Sequence, residues 1–329
     1  VVGWVRPAFA AELEGYPEVF EAAERELHLI GGLQDFAERS AALDVVARGL
    51  AGAGVTPAYM DEPYAVTPAG REAALCVVDR AAAAYFGVRS FGQHLNGFVR
   101  RADGIHMWIG RRARDRLLFP GALDNMVAGG LPHSLGLHEN LVKECAEEAG
   151  IPAALAGKAV PVGAVSYNRV AERGFRRDVL YCYDLELPDG FVPVNTDGEV
   201  EEFMLLPLAE VAEIVRETDD FKLNCNLVVI DFLIRQGEIY GQMEAWDRAV
   251  AAYRMASDQN PHDTNPYIEL GHIYRQQGEL KKAETFYEEA LAQSPDNFTV
   301  IYFLGLVQYQ LEDDAQARYY LQRALDLKP

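Results

Sequence analysis

A motif that returns at a constant offset constrains a chain tightly, because each unit must bury its apolar face against a copy of itself. The C-terminal third has such an offset, 34 residues. Tyr267, Leu270, Gly271, Tyr274, Ala283, Tyr287, Ala290 and Pro295 return as Ile301, Leu304, Gly305, Gln308, Ala317, Leu321, Ala324 and Pro329. The same frame runs back through Gly237, Tyr240, Ala249, Tyr253, Ala256 and Pro261. Of the aligned pairs only Tyr274 and Gln308 differ in residue type, which an unrelated amphipathic hairpin would not achieve at fixed spacing. Small residues at one set of positions and large ones at another predict antiparallel helix pairs in close approach.

The pattern resembles the tetratricopeptide repeat, with two full repeats and one blended repeat, about two and a half in all, over 237–329. That resemblance implies an all-α solenoid whose concave face can take a protein or peptide partner.

Upstream the period changes. Residues 1–236 alternate helical and extended runs, which predicts an α/β unit. We expect helices over 19–54, 70–85, 208–216 and 222–236. Strands are expected over 93–101 and 104–111, joined by a hairpin at Ala102, Asp103 and Gly104, and over 158–167, 178–186 and 200–206. The organisation expected is an N-terminal extension over 1–88, an α/β domain over 89–236 and the repeats over 237–329.

Charge removes some function classes. With 30 Lys+Arg against 50 Asp+Glu the formal net charge is −20, so the surface repels phosphate backbones. The densest basic cluster, Arg111, Arg112, Arg114 and Arg116, is too short to reverse this, and nucleic-acid partners are set aside. No apolar run approaches the roughly 20 residues of a membrane helix. Cys76, Cys145, Cys182 and Cys225 lie far apart with no paired spacing, which reads as reduced thiols in a soluble cytoplasmic protein.

The chemistry concentrates in AGGLPHSLGLHENLVKECAEEAGI, residues 128–151. A glycine pair ends a short strand, a turn-rich loop follows, and a helix begins at Leu137. Glu144, Glu147 and Glu148 stand at i, i+3 and i+4, which places three carboxylates on one helical face. Like charges so placed disfavour a bare helix, and a divalent cation would offset them; hard oxygen ligands suit Mg²⁺ or Mn²⁺. A solvated acidic face is the alternative.

The segment resembles the Nudix box, whose pattern is Gly, five residues, Glu, seven residues, Arg-Glu, a bulky apolar residue, any residue, Glu-Glu, any residue, Gly and a bulky apolar residue. Lys143, Glu144, Cys145, Glu147, Glu148, Gly150 and Ile151 fill its second half. Lys143 replaces the arginine. Counting from Gly129 puts Leu135 where the first glutamate belongs, and Glu139 is a candidate ion-pair partner for Lys143. Together with GVRSFGQHLNGFVRRADGIHMWIGRR, LDNMVAGG, VPVGAVSYNRV, YCYDLELP and NTDGEVEEFMLLPLAEV, the box is similar to the Nudix hydrolases related to those fused to thiamin pyrophosphokinase, whose N-terminal domain has no assigned role.

The resemblance implies an α/β Nudix fold, a mixed sheet between helices, preceded by an α+β extension. It also implies Mg²⁺-dependent cleavage of a diphosphate bond, with thiamin diphosphate or its oxidised and damaged forms as substrates yielding the monophosphate. Nucleoside or isoprenoid diphosphates are the alternative substrates, and a catalytically silent interaction scaffold the alternative role. Glu144, Glu147 and Glu148 are then the metal ligands, with the backbone carbonyl of Ala128 or Gly129 as a further candidate. Glu199 or Glu202 is the candidate general base, with Glu199 preferred. Arg111, Arg112 and Lys143 are candidate substrate-binding residues. In the first 85 residues only Tyr59, Met60 and Tyr64, beside Asp61 and Glu62, look like a substrate-contact surface, and a loop packed on the core explains them equally.

Overall fold

The structure, a computed structural model, describes residues 1–116, 118–171, 173–242, 246–259 and 262–327. The described contacts divide into two compact units. The first comprises Val1–Arg100 and Trp108–Met204, the second Arg101–Met107 and Leu205–Pro329.

The chain opens with α1 (Pro7–Leu13), the hairpin β1 (Phe20–Ala23) and β2 (Glu26–Leu29), and α2 (Phe36–Gly52). The helix expected over 19–54 therefore starts only at Phe36. Asp35 fixes that start, its side chain accepting from the Glu38 amide while Glu38 reaches back to the Asp35 amide, a capping box. The helix expected over 70–85 is replaced by a 3-10 turn at Arg71–Ala73, the strand β4 (Cys76–Asp79) and the short α3 (Arg80–Ala83). The two β-branched valines of β4 pair antiparallel with β3 (Pro63–Val66), and this tertiary partner outweighs the helix propensity of the flanking alanines. Phe9, Leu13, Val46, Leu50, Val66, Val78 and Phe86 form the core under these elements.

A mixed sheet follows: β5 (Arg89–Arg101), β6 (Gly104–Arg112), β7 (Leu123–Asn125), β8 (Val127–Gly130), β9 (Val160–Ala171), β10 (Gly174–Glu186) and β11 (Val200–Pro207). Its order is β11-β6-β5-β10-β9, with β7 on β6 and β8 on β5. β10 runs parallel to β5, and β9 antiparallel to β10. The expected β5–β6 hairpin forms, with Gly104 at φ 139°, a conformation open to glycine. Two helices, α4 (Leu137–Ala149) and α5 (Ala153–Ala156), lie between β8 and β9. Trp108 is buried in the core.

The second unit carries α6 (Leu208–Glu217), α7 (Leu223–Gln242), α8 (Trp246–Gln259), α9 (Thr264–Gln276), α10 (Leu280–Gln293), α11 (Phe298–Gln310) and α12 (Asp314–Leu327). α7 runs unbroken through residue 236. The repeat physics is visible at three glycines one period apart. A Cβ on Gly237 would lie 2.9 Å from the Tyr253 ring, one on Gly271 2.5 Å from the Tyr287 ring, and one on Gly305 2.7 Å from Leu321. Each glycine thus admits the large residue of the next helix, and Ala249, Ala283 and Ala290 are fully buried beside them. Pro261 and Pro329 lie outside the described residues, as does the side chain of Tyr240.

Candidate active site

The site is assembled by β8 and α4. β8 pairs antiparallel with β5, Gln93 opposite Gly129 and Gly92 opposite Gly130. The connecting loop is held from outside by Arg71, whose Nη2 donates to the carbonyls of Pro132 (2.7 Å), His133 (3.2 Å) and Leu135 (2.8 Å). α4 then begins after Gly136 and stops at Gly150, which takes the left-handed conformation (φ 62°) and donates to the Ala146 carbonyl. Leu141, Cys145 and Ala149 bury its apolar stripe. Asn140, fully buried, donates to Gln93 Oε1 (2.7 Å) and to the Gly130 carbonyl (3.0 Å), which fixes the rotation of the helix over the strand.

That rotation decides where the acids go. Glu144 follows Asn140 by one turn and rests on Gly129, where a Cβ would lie 2.5 Å from Glu144 Cδ. Glu148, another turn on and 7% exposed, accepts from the Ala128 amide at 2.9 Å. Glu147 is turned outward, its side chain 47% exposed against 15% for Glu144. Lys143 bridges the two, its Nζ 2.7 Å from Glu147 Oε2 and 3.3 Å from Glu144 Oε1. The ammonium therefore pairs with these acids rather than with Glu139, and it offsets part of the repulsion on the helix. Burial raises the Glu144 carboxyl above its ordinary range, outweighing Lys143. Burial works against the charged form of Lys143, but its bonds to Glu147 and Glu144 prevail and raise it.

Glu199 reaches the same place by a different route. Thr196 donates its hydroxyl to the carbonyls of Glu147 (2.7 Å) and Ala146 (3.2 Å), tying the 195–199 turn to the end of α4. Asn195 Oδ1 accepts from the amides of Asp197 and Gly198. The result is a narrow cleft of about 10 Å³, room for one water molecule. Gly110, Arg112, Asp124, Asn125, Glu148, Glu199 and Val200 line it.

Arg112 donates to Asp124 at 3.0 Å. Arg111 lies off the cleft, near Glu202 (3.5 Å) and donating to the Gly121 carbonyl. Arg116 pairs with Glu199 at 2.7 Å, and Arg114 with Glu201 at 3.4 Å. The basic run is thus matched by facing carboxylates. Glu148, Arg112 and Glu199 share the cleft, Lys143 joins Glu144 and Glu147, and Arg111 and Glu202 form a separate pair.

The carboxylates of Glu144, Glu147 and Glu148 are donors of the kind a hard divalent cation takes, although as they stand the three do not converge within 4.8 Å of one another. The donors are carboxylate oxygens, two of them largely desolvated, and Gly129 leaves open the space that any side chain there would take from Glu144. Sequence reasoning singled out Tyr64 but missed Arg71, which clamps the loop, and the approach of Tyr64 and Arg80 to Gly130. No local signal could have found these contacts, because fifty or more positions separate the groups from the segment they touch.

Residues 1–90 match a family described as a domain of unknown function, DUF4743, and residues 262–329 match the tetratricopeptide repeat. The chain has homologues among the Nudix hydrolases, and its C-terminal region matches the tetratricopeptide repeats. Nudix hydrolase 20, chloroplastic, of Arabidopsis thaliana is 43% identical over 250 residues, and Nudix hydrolase 24, chloroplastic, of the same plant 44% over 241. Each covers 73% of this chain, which spans 66% of each relative's length. An uncharacterised protein of Saccharomyces cerevisiae is 32% identical over 248 residues, covering 70% of this chain and 72% of that protein. No described helix is long and apolar enough to cross a membrane.

Proposed function

We propose that the protein is a Nudix hydrolase that cleaves a diphosphate bond with Mg²⁺ or Mn²⁺. The observation that carries this reading is the packing of the Glu144 carboxylate on Gly129 and of Glu148 on the Ala128 amide, within a chain 43% identical to a named Nudix hydrolase. Glu144, Glu147 and Glu148 are the residues that would hold the ion. When bound, such an ion neutralises phosphate charge and acidifies a coordinated water.

The chain supplies the rest. Arg116 occupies Oε1 of Glu199, leaving Oε2 to take a proton from water in the cleft shared with Glu148. Arg112, held by Asp124, and Arg111 are the proposed cationic contacts for substrate. Lys143 stands between Glu144 and Glu147 as the countercharge, which it can transfer to a substrate phosphate.

The proposed substrate is thiamin diphosphate or an oxidised analogue, with the monophosphate as product; this rests on the subfamily resemblance of residues 1–236. The C-terminal repeats are proposed to take a protein or peptide partner, and four buried cysteines with no disulfide among them support a reducing compartment such as the cytoplasm. Incubation with oxidised thiamin diphosphate and Mg²⁺ should release the monophosphate, and Glu148→Gln should lower the rate about a hundredfold or more. If no diphosphate in a panel that includes nucleoside and isoprenoid diphosphates is cleaved, or Glu148→Gln matches wild type, the reading fails.

A further inference from the structure

The sheet ends on β9, which is paired on one side only, to β10. Among the described residues no backbone hydrogen bond outside that pairing involves 160–170, and at the far end Arg6 Nη2 donates to the Ala171 carbonyl at 2.5 Å. In an antiparallel pair every second residue turns its N–H and C=O away from its partner, so the outer side of β9 carries a row of donors and acceptors. Folds usually blunt such an edge with lysine, proline, a bulge or a covering element. Here the blunting is confined to the start, where Pro161 lacks an N–H, Gly163 takes φ 134° and the register with β10 shifts between Cys182 and Tyr183. Over 164–170 the register is regular, about 23 Å of open strand.

The side chains of this stretch suit a copy of the same edge. Ala164, Ser166, Asn168 and Val170 are exposed and alternate along the strand, which puts them on one face, and Val170 is 76% exposed. An antiparallel edge is complementary to itself about a two-fold axis. With that axis at Tyr167, Ala164 stands opposite the partner's Val170 and Ser166 opposite the partner's Asn168, so that apolar faces apolar and hydrogen-bonding groups face each other. Charge selects the place. Two chains of net charge −20 repel one another across acidic faces, whereas 160–171 holds no Asp or Glu and a single arginine, Arg169. The two copies of Arg169 would stand four residues apart along the pair, about 13 Å, beyond the ~8 Å screening length at physiological salt. Asp178 on β10 is buried and gripped by Arg176 through Nε and Nη2, so it presents no bare charge to the edge.

We propose that β9 pairs antiparallel with β9 of a second copy of this chain, joining two seven-stranded sheets across a two-fold axis near Tyr167. Pairing closes this edge on both chains, so assembly through it stops at two. One strand pair is at the small end of specific interfaces, and the dimer should therefore dissociate in the micromolar range. The inference is independent of the hydrolase reading.

Sedimentation velocity of the full chain from about 1 to about 100 µM in physiological salt should show a shift from one chain to two, with no larger species. Ser166→Glu combined with Asn168→Glu sets like charges opposite each other on both sides of the axis and should weaken self-association about tenfold or more, as should Ser166→Lys combined with Asn168→Lys. Both positions are exposed, so the fold should tolerate either pair of changes. Mixing the acidic and basic variants should restore the two-chain species with one chain of each kind, which a folding defect would not allow. A wild type that stays a single chain at about 100 µM would overturn the proposal, and so would growth beyond two chains. Acidic and basic variants that each self-associate like wild type, or a mixture of weakened variants that fails to pair, would overturn it as well.

Discussion

Replacing Gly129 by alanine tests the site with a single methyl group. Gly129 is not in a left-handed conformation, so its backbone accepts alanine without strain. The new Cβ would lie 2.5 Å from Glu144 Cδ, 2.6 Å from Oε2 and 2.8 Å from Cγ. Carbon atoms prefer about 3.5 Å, so the carboxylate must retreat by about 1 Å. Because it is the end of a flexible side chain, the fold should lose only about 1 kcal/mol, the low end of overpacking costs. A displacement of about 1 Å at a reacting group costs about a hundredfold in rate, close to 2.7 kcal/mol of transition-state stabilisation. The expected result is a kcat about a hundred times lower, a smaller Mn²⁺-induced rise in Tm, and a metal-free Tm within a few degrees of wild type. Gly136→Ala is the control, since nothing lies within 4 Å of its Cβ position. If Gly129→Ala kept both its kcat and its metal-dependent Tm shift within twofold of wild type, the Glu144 carboxylate would not be where the chemistry occurs.

Other perturbations probe the scaffold. Arg71→Ala removes the donor shared by three loop carbonyls and should cost about 1–3 kcal/mol, with faster amide exchange over 131–137; unchanged exchange there would refute the clamp. Gly271→Ala would press a methyl against the Tyr287 ring and should destabilise the repeats by about 1–3 kcal/mol in urea, and a neutral result would contradict the glycine-to-ring packing. His272, packed with Tyr287 and Phe303, is held at about 4 by burial, with the Arg275 charge adding to the effect. The unfolded chain takes up this proton near 6.5 and the folded repeat does not. Stability from this group is therefore full above pH 6.5 and is lost as pH falls towards 4, by about 2 kcal/mol after allowance for partial exposure. His272→Phe should flatten the urea midpoint over that window; an identical slope in variant and wild type would rule the assignment out.

Periodicity and spacing were sufficient where one element states its own requirement. The 34-residue offset dictates helix pairs because a glycine on one helix must face a large side chain on the next, and Gly237, Gly271 and Gly305 do so. The i, i+3, i+4 acids dictate a charged helical face, and Gly150 dictates where that helix ends. Local propensity misled at 19–34, where β1 and β2 close a short hairpin, and at 70–85, where β4 pairs with β3. The division of labour among the acids was a tertiary matter. Asn140 sets the rotation of α4 through Gln93 and the Gly130 carbonyl, which turns Glu144 and Glu148 inward and leaves Glu147 to Lys143. The approach of Tyr64 and Arg80 to Gly130 was likewise beyond the sequence, because a contact between residues so far apart is decided by how β3 and α3 pack in the folded unit and leaves no periodic trace in the chain.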